Sequence, residues 1–293
     1  IAAATHSTAH AFVADISAKQ DRARNFGLIG AAFGAGFILG PIIGGVAGEL
    51  GTRAPFYAAA GLAFLNFCYG VLVLPETLTA DKRRPFDWRR ANPLGSARQI
   101  ARFPVVAWFL ACAFLFEIAN FVYPAVWGYY TKEAHGWSSA EVGFSLAIVG
   151  LGFVIVQGWL LRIVLAKFGE IRTVLAGLLA NIIGLLGLAF ATTDWMVYAW
   201  LPVIALGAVI GPALMALMSN LTPDNSQGEL QGLKTSVLGI TMIISPLMMT
   251  QLFGYFSGPK APVYFPGAPF MAAAGLIALA LIPFAIGLRR KGL

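Results

Sequence analysis

Eight apolar stretches, each long enough to cross a lipid bilayer, constrain this chain more than any other feature: about 26 to 47, 55 to 74, 104 to 130, 139 to 166, 172 to 192, 195 to 219, 231 to 256 and 268 to 288. A hydrocarbon core about 30 Å thick takes about 20 residues of helix to span. Of the 293 residues, 58% are hydrophobic and 11% charged, against roughly 25% charged in soluble domains. The chain is an all-α membrane protein. Its net charge of +7 does not make it a nucleic-acid binder, because that requires a clustered basic face on a soluble domain, and these charges lie between apolar spans. Cys68 and Cys112 sit inside apolar runs and read as packing residues, not as a disulfide framework or metal cluster. The opening IAAATHSTAH, apolar and without Met, lacks the plan of a signal peptide and reads as a chain that begins partway through a helix, a half-span ending near Ala14.

The basic residues fix the topology. When the loops are assigned alternately to the two sides, one side holds Lys19, Arg22, Arg24, Lys82, Arg83, Arg84, Arg89, Arg90, Arg98, Arg102, Arg162, Lys167, Arg172, Lys234, Arg289, Arg290 and Lys291, and the other holds only Arg53, Lys132 and Lys260. Positive charge marks the cytoplasmic side, and a miscounted span would have scrambled the asymmetry. The segment from Pro75 to Phe103 is then a cytoplasmic linker, followed by six spans and a cytoplasmic C-terminus. That order predicts three parts: 1–74 as the remnant of a first bundle, 75–103 as the linker and 104–293 as a six-helix second bundle.

The first span contains GAGFILGPIIGGVAG, Gly34 to Gly48. Gly36, Gly40, Gly44 and Gly48 recur every fourth residue, a drift of about 40° per step, so they share a bare face that another helix can approach at backbone distance. Pro41 removes one helical hydrogen bond and favours a bend. The pattern G-x8-G-x3-G-P-x2-G-G is met by Gly27, Gly36, Gly40, Pro41, Gly44 and Gly45.

That pattern resembles the antiporter motif in the fifth helix of drug-efflux members of the major facilitator superfamily. ADISAKQDRARNFG, RAPFYAAAGLAFLNF, LPETL, NPLGS and QGELQG look like the tetracycline-resistance branch. The resemblance implies helices 4 to 12 of a twelve-helix fold, N-terminally truncated: eight complete transmembrane helices and part of another. It implies a proton-coupled exporter working by alternating access, needing no cofactor beyond the proton gradient. Its partners would be a small-molecule substrate, protons and the bilayer, with no nucleic acid, and it would act as a monomer in the inner (plasma) membrane. Where the family repeats its cytoplasmic gating loop, RIVLAKFGEIR keeps Lys167, Gly169 and Arg172; a weak gate and an ordinary basic loop both remain open. Asp15, with Arg22 and Arg24, falls at the cytoplasmic end of the fourth helix, where anchoring the loop is the simpler role.

Asn181 stands where similar tetracycline/proton antiporters carry a membrane aspartate. An amide cannot titrate, so any coupling uses another group. Among the 13 Asp and Glu, only Glu117, in VVAWFLACAFLFEIANFVYPAVW, sits near the middle of a span. A charge there is expensive in lipid and belongs in the bundle interior or a wet cavity. Desolvation disfavours its ionised form, so Glu117 could be neutral in one access state and ionised in the other, or it could pair statically with a cation. Asn120 and Tyr123 continue its face along the helix, and Gln157 and Asn181 could join them across a cavity. His6 and His10, four residues apart, either line that cavity or pack. The leading function is efflux of a small amphipathic compound, drug or tetracycline-like. A metabolite or sugar transporter of the same superfamily and a non-transporting remnant stand as alternatives; an enzyme would need a catalytic cluster that the spans lack.

Overall fold

The computed structural model describes residues 12–13, 16, 22–75, 104–222, 227–259 and 261–291, with backbone alone for 22–31, 33, 37, 227–229 and 291. His6, His10, Asp15 and nearly all of the linker lie outside the described residues. The helices are α1 (Arg22–Glu49), α2 (Ala54–Val73), α3 (Pro104–Asn120), α4 (Val122–His135), α5 (Ser139–Ile155), α6 (Leu161–Ala189), α7 (Asp194–Ala205), α8 (Ile210–Ser219), α9 (Gln227–Ser257) and α10 (Ala268–Lys291). A π-helical turn, Val156–Leu160, joins α5 to α6, and a 3-10 turn, Leu206–Val209, joins α7 to α8. No strand occurs among the described residues.

These helices follow the expected spans closely because their ends are set by local chemistry. Pro55 starts α2, where its missing N–H costs nothing. Gly136, at φ 68°, ends α4 with its N–H on the carbonyls of Lys132 and Thr131. Among the described residues, six helical stretches are long and apolar enough to cross a membrane, and Gly34–Glu49 is a shorter apolar one. One of the six, Ser139–Ala189, is 51 residues long, about twice what a bilayer needs. Its regular winding breaks at Gly169 (φ 72°, ψ 174°), a backbone conformation that glycine adopts without strain. The break falls between the two spans read from the sequence.

The chain divides into two compact units, one containing residues up to Arg90 together with Ser139–Gly150, the other Ala91–Ser138 and Leu151–Leu293. The stretch Ser139–Gly150 groups with the first unit, although it follows the linker in sequence.

Within the first unit, α1 meets the start of α5 at backbone distance. A methyl group on Gly45 would come within 2.7 Å of the Ser139 carbonyl oxygen, and one on Gly48 within 2.8 Å of the Ser139 Cβ. Gly143 faces back onto the Pro41 carbonyl and the Gly45 Cα. Gly36, Gly40 and Gly44 meet nothing within 4 Å, so of the glycine face only Gly48, at its C-terminal end, is occupied, together with the adjacent Gly45. Glu49 completes this contact: its Oε1 accepts the Ala140 N–H at 2.9 Å, satisfying one of the donors that a helix N-terminus leaves unpaired. α2 buries none of its side chains and exposes Phe56, Tyr57, Phe64 and Phe67, an apolar surface suited to lipid or to further helices.

In the second unit, α10 packs along α3 and α6, α6 along α7 and α8, and α9 along α3 and α4. Phe109 and Phe284 meet edge to face at 5.6 Å across the α3–α10 seam. The fully buried Ser245 hydroxyl donates to the Ile118 carbonyl at 2.6 Å, tying α9 to α3 one residue from Glu117. Between helices already surrounded by lipid, such interhelical hydrogen bonds and close packing replace the hydrophobic drive of a soluble core.

Candidate functional site

Three of the helical stretches that line the second unit's polar cavity lose their regular winding beside it. Pro124 has no N–H for the Asn120 carbonyl, and the helix breaks at Phe121 between α3 and α4. The π turn Val156–Leu160 carries Gln157. Pro212 likewise deprives the Ala208 carbonyl of its donor, and the chain just before it tightens into the 3-10 turn Leu206–Val209. Such irregular turns re-aim side chains and free backbone groups that an unbroken helix would consume, and they recur at functional sites.

These elements enclose a cavity of about 170 Å³. Glu117 and Asn120 line it from the last turn of α3, Gln157 from the π turn and Asn181 from α6, together with Gly207 and Pro212. Four of the polar residues singled out in the sequence thus line one cavity, though they come from three separate helical segments. Phe116 and Phe153 supply apolar wall. One carboxylic acid and three amides offer donors and acceptors together, suited to a ligand end that carries both.

Asn181 is 2% exposed, and its Oδ1 has no hydrogen-bond partner. Its amide nitrogen lies against Gly207 so closely that a Cβ there would overlap it. Residue 207 is therefore glycine because Asn181 occupies the space a side chain would need. A buried amide oxygen left unpaired costs about 1–3 kcal/mol, which a ligand donor would relieve.

Tyr123 is not among the cavity's lining residues. Its ring lies 6.1 Å from that of Phe270 and 6.3 Å from that of Trp127, and its hydroxyl is buried without a partner. At about 100° per residue Tyr123, six positions on, lies about 120° around the helix from Glu117, so the drift of the stripe carries it away from the cavity. Lys167 lies over the Phe168 ring at 5.4 Å, beside the break at Gly169, and Arg172 follows in the next turn. Glu170 of the same turn accepts the Asn220 side-chain amide at 3.0 Å, so this loop is tied to the end of α8. The side chains of Arg22 and Arg24 are not described.

Two residues escaped the sequence reading. Gly207 has no signal in the sequence, since only the fold brings it to Asn181. Lys234 counted there as a cytoplasmic topology charge, yet with Glu117 it lines a second, smaller cavity of about 20 Å³ between α3, α8 and α9. Its signal was its position inside the span that opens at Leu230.

The model of the Major Facilitator Superfamily matches residues 1–164 and 109–292, two overlapping ranges that take in nearly all of the chain. The class C tetracycline resistance protein of Escherichia coli is 35% identical over 253 residues, 86% of this chain and 64% of that protein. The class G protein of Vibrio anguillarum is 36% identical over 263 residues, 88% of this chain and 65% of the relative. The chain thus spans somewhat less than two thirds of the length of these curated relatives. Among solved structures, the human organic anion transporter MFSD10 superposes with a TM-score of 0.60 at 23% identity, covering 95% of this chain and 67% of that one, which speaks to the fold alone. The apolar spans, the antiporter-type glycine motif and these matches agree: the chain is a multi-pass membrane protein that belongs to the Major Facilitator Superfamily, a family of transporters.

Proposed function

We propose that this protein is a secondary active transporter that exports a small amphipathic compound in exchange for protons, by alternating access. The observation that carries this reading is the meeting of Glu117, Asn120, Gln157 and Asn181 in one cavity. Glu117 is the carboxyl that binds and releases the coupling proton, and the three amides hold the substrate's polar end. At about 170 Å³ the cavity is smaller than the roughly 300–1,000 Å³ of sites that enclose a drug-sized ligand, so it receives one end of the compound. The remainder lies against other surfaces of the pathway.

Residues 104–293 act as one bundle and 1–74 belong to the other, with 75–103 as a cytoplasmic linker. The protein sits in the inner (plasma) membrane with its C-terminus in the cytoplasm, a side supported by the seventeen-to-three split of basic residues. The similarity to proteins named for tetracycline resistance supports a tetracycline-like compound as the first to try.

The reading is tested with inverted membrane vesicles from cells making the protein. Substrate accumulation under an imposed proton gradient is expected to fall to background in Glu117→Gln, while equilibrium binding of the same compound changes by less than about threefold, under 0.7 kcal/mol. Full gradient-driven accumulation in Glu117→Gln would rule this carboxyl out as the coupling group.

A further inference from the structure

Glu117 borders two cavities. On one side lies the polar cavity shared with Asn120, Gln157 and Asn181. On the other lies the chamber of about 20 Å³, walled by Leu110, Ala113, Phe116, Leu214, Met218 and other apolar residues, in which Glu117 and Lys234 are the charged groups. That volume holds about one water, and a buried water needs at least two polar partners, which this carboxyl and ammonium supply.

No other charged group among the described residues faces Glu117 from the helices packed on α3. α8 carries none. On α10, Arg289 and Arg290 stand at the C-terminal end, and Arg290 lies over the ring of Trp108 at 5.4 Å, a residue nine positions and about 13 Å of helix from Glu117. On α4, Lys132, Glu133 and His135 stand in the last turns, with His135 paired with Asp194 at 3.1 Å; of its phenols, Tyr123 lies against Phe270, Tyr129 against Phe253, and Tyr130 donates to the Leu188 carbonyl at 2.7 Å, and none of the three lines either cavity. Lys234 lies early in α9, on the side of Glu117 that the positive-inside asymmetry assigns to the cytoplasm.

We propose that Lys234 is the internal counter-charge of Glu117, acting through the one-water chamber to set when this carboxyl carries a proton. It is a positioning residue, because it does not line the polar cavity. A static pair would need the two groups in contact; a chamber between them lets Lys234 favour the carboxylate without quenching it, so Glu117 stays exchangeable. The proposal rests on the exporter reading for its consequence in transport, but not for its test.

The test uses the purified chain in lipid nanodiscs, following by infrared spectroscopy the C=O stretch of a protonated carboxyl, assigned to Glu117 by its loss in Glu117→Gln. Against wild type, the neutral variants Lys234→Met and Lys234→Gln are expected to move the titration of this band to higher pH by about one unit or more, tenfold in proton occupancy. Lys234→Arg, which keeps the charge, is expected to restore the wild-type curve. A curve unmoved in the neutral variants overturns the proposal. If neither neutral variant folds, the double variant Glu117→Gln/Lys234→Met decides: recovery of the fold is the expected result of removing both charges together, and no recovery counts against the pair. No transported compound enters this measurement, so a negative result here leaves the exporter reading to the vesicle assay.

Discussion

At the scale of single residues, Asn181 and Gly207 form a unit in which the size of one determines the identity of the other. Gly207→Ala is expected to push Asn181 out of its place at a cost of about 1–3 kcal/mol, the range for overpacking a filled site. Restoring space with Gly207→Ala/Asn181→Ala should return much of that stability, which thermal unfolding in detergent would show as a non-additive pair. The unpaired Oδ1 of Asn181 leads to a second expectation. Asn181→Leu removes a polar atom that has no partner, so it should raise the unfolding temperature while weakening substrate binding tenfold or more. A residue serving only the fold would show the reverse, lower stability with binding untouched.

Among the elements, the contact of α1 with the start of α5 and the breaks around the cavity differ in what they tolerate. Gly45→Leu cannot be accommodated without separating the two backbones, because the nearest neighbour is the Ser139 main chain and not a flexible side chain. Gly45→Leu is therefore expected to lower the unfolding temperature in detergent by several degrees, whereas Gly36→Leu, at a position where a methyl group meets nothing within 4 Å, should not. The turn after α4 is held differently. Asp194 Oδ1 accepts the Trp137 indole N–H at 2.9 Å and sits 3.1 Å from His135 Nδ1, and Trp137 stacks on Tyr198 at 5.1 Å. Asp194→Ala leaves the buried indole N–H without its acceptor, an expected loss of about 1–2 kcal/mol measurable as a lower unfolding temperature. Gly169→Ala would force a side chain into φ 72°, ψ 174°, at about 1–3 kcal/mol, and should disorder the loop that Glu170 ties to Asn220.

On the scale of the whole molecule, the sequence by itself determined the spans and the membership of a transporter family, and its loop charges carry the proposed orientation, because each rests on a quantity that sums along the chain. Twenty apolar residues in a row must cross lipid wherever they fall, and loop lysines and arginines act without regard to tertiary contacts. The bare glycine face was legible for the same reason, since helical spacing needs no partner to be read. Helical spacing also placed Glu117 and Asn120 together, and it did not carry to Tyr123, because three-residue steps drift and leave a residue six positions on about 120° around the helix. Only the tertiary structure decided which residues across different helices meet: that Gln157 and Asn181 join Glu117, that Gly207 makes room for Asn181, that Gly45 and Gly48 find a neighbour while Gly36 and Gly40 do not, and that Lys234 lines a small chamber with a carboxyl on another helix. The physical reason is that lipid imposes no unique pairing on apolar helices. Their neighbours are chosen by close packing, by a few interhelical polar contacts and by local breaks in winding, and these appear only once all the helices are in place.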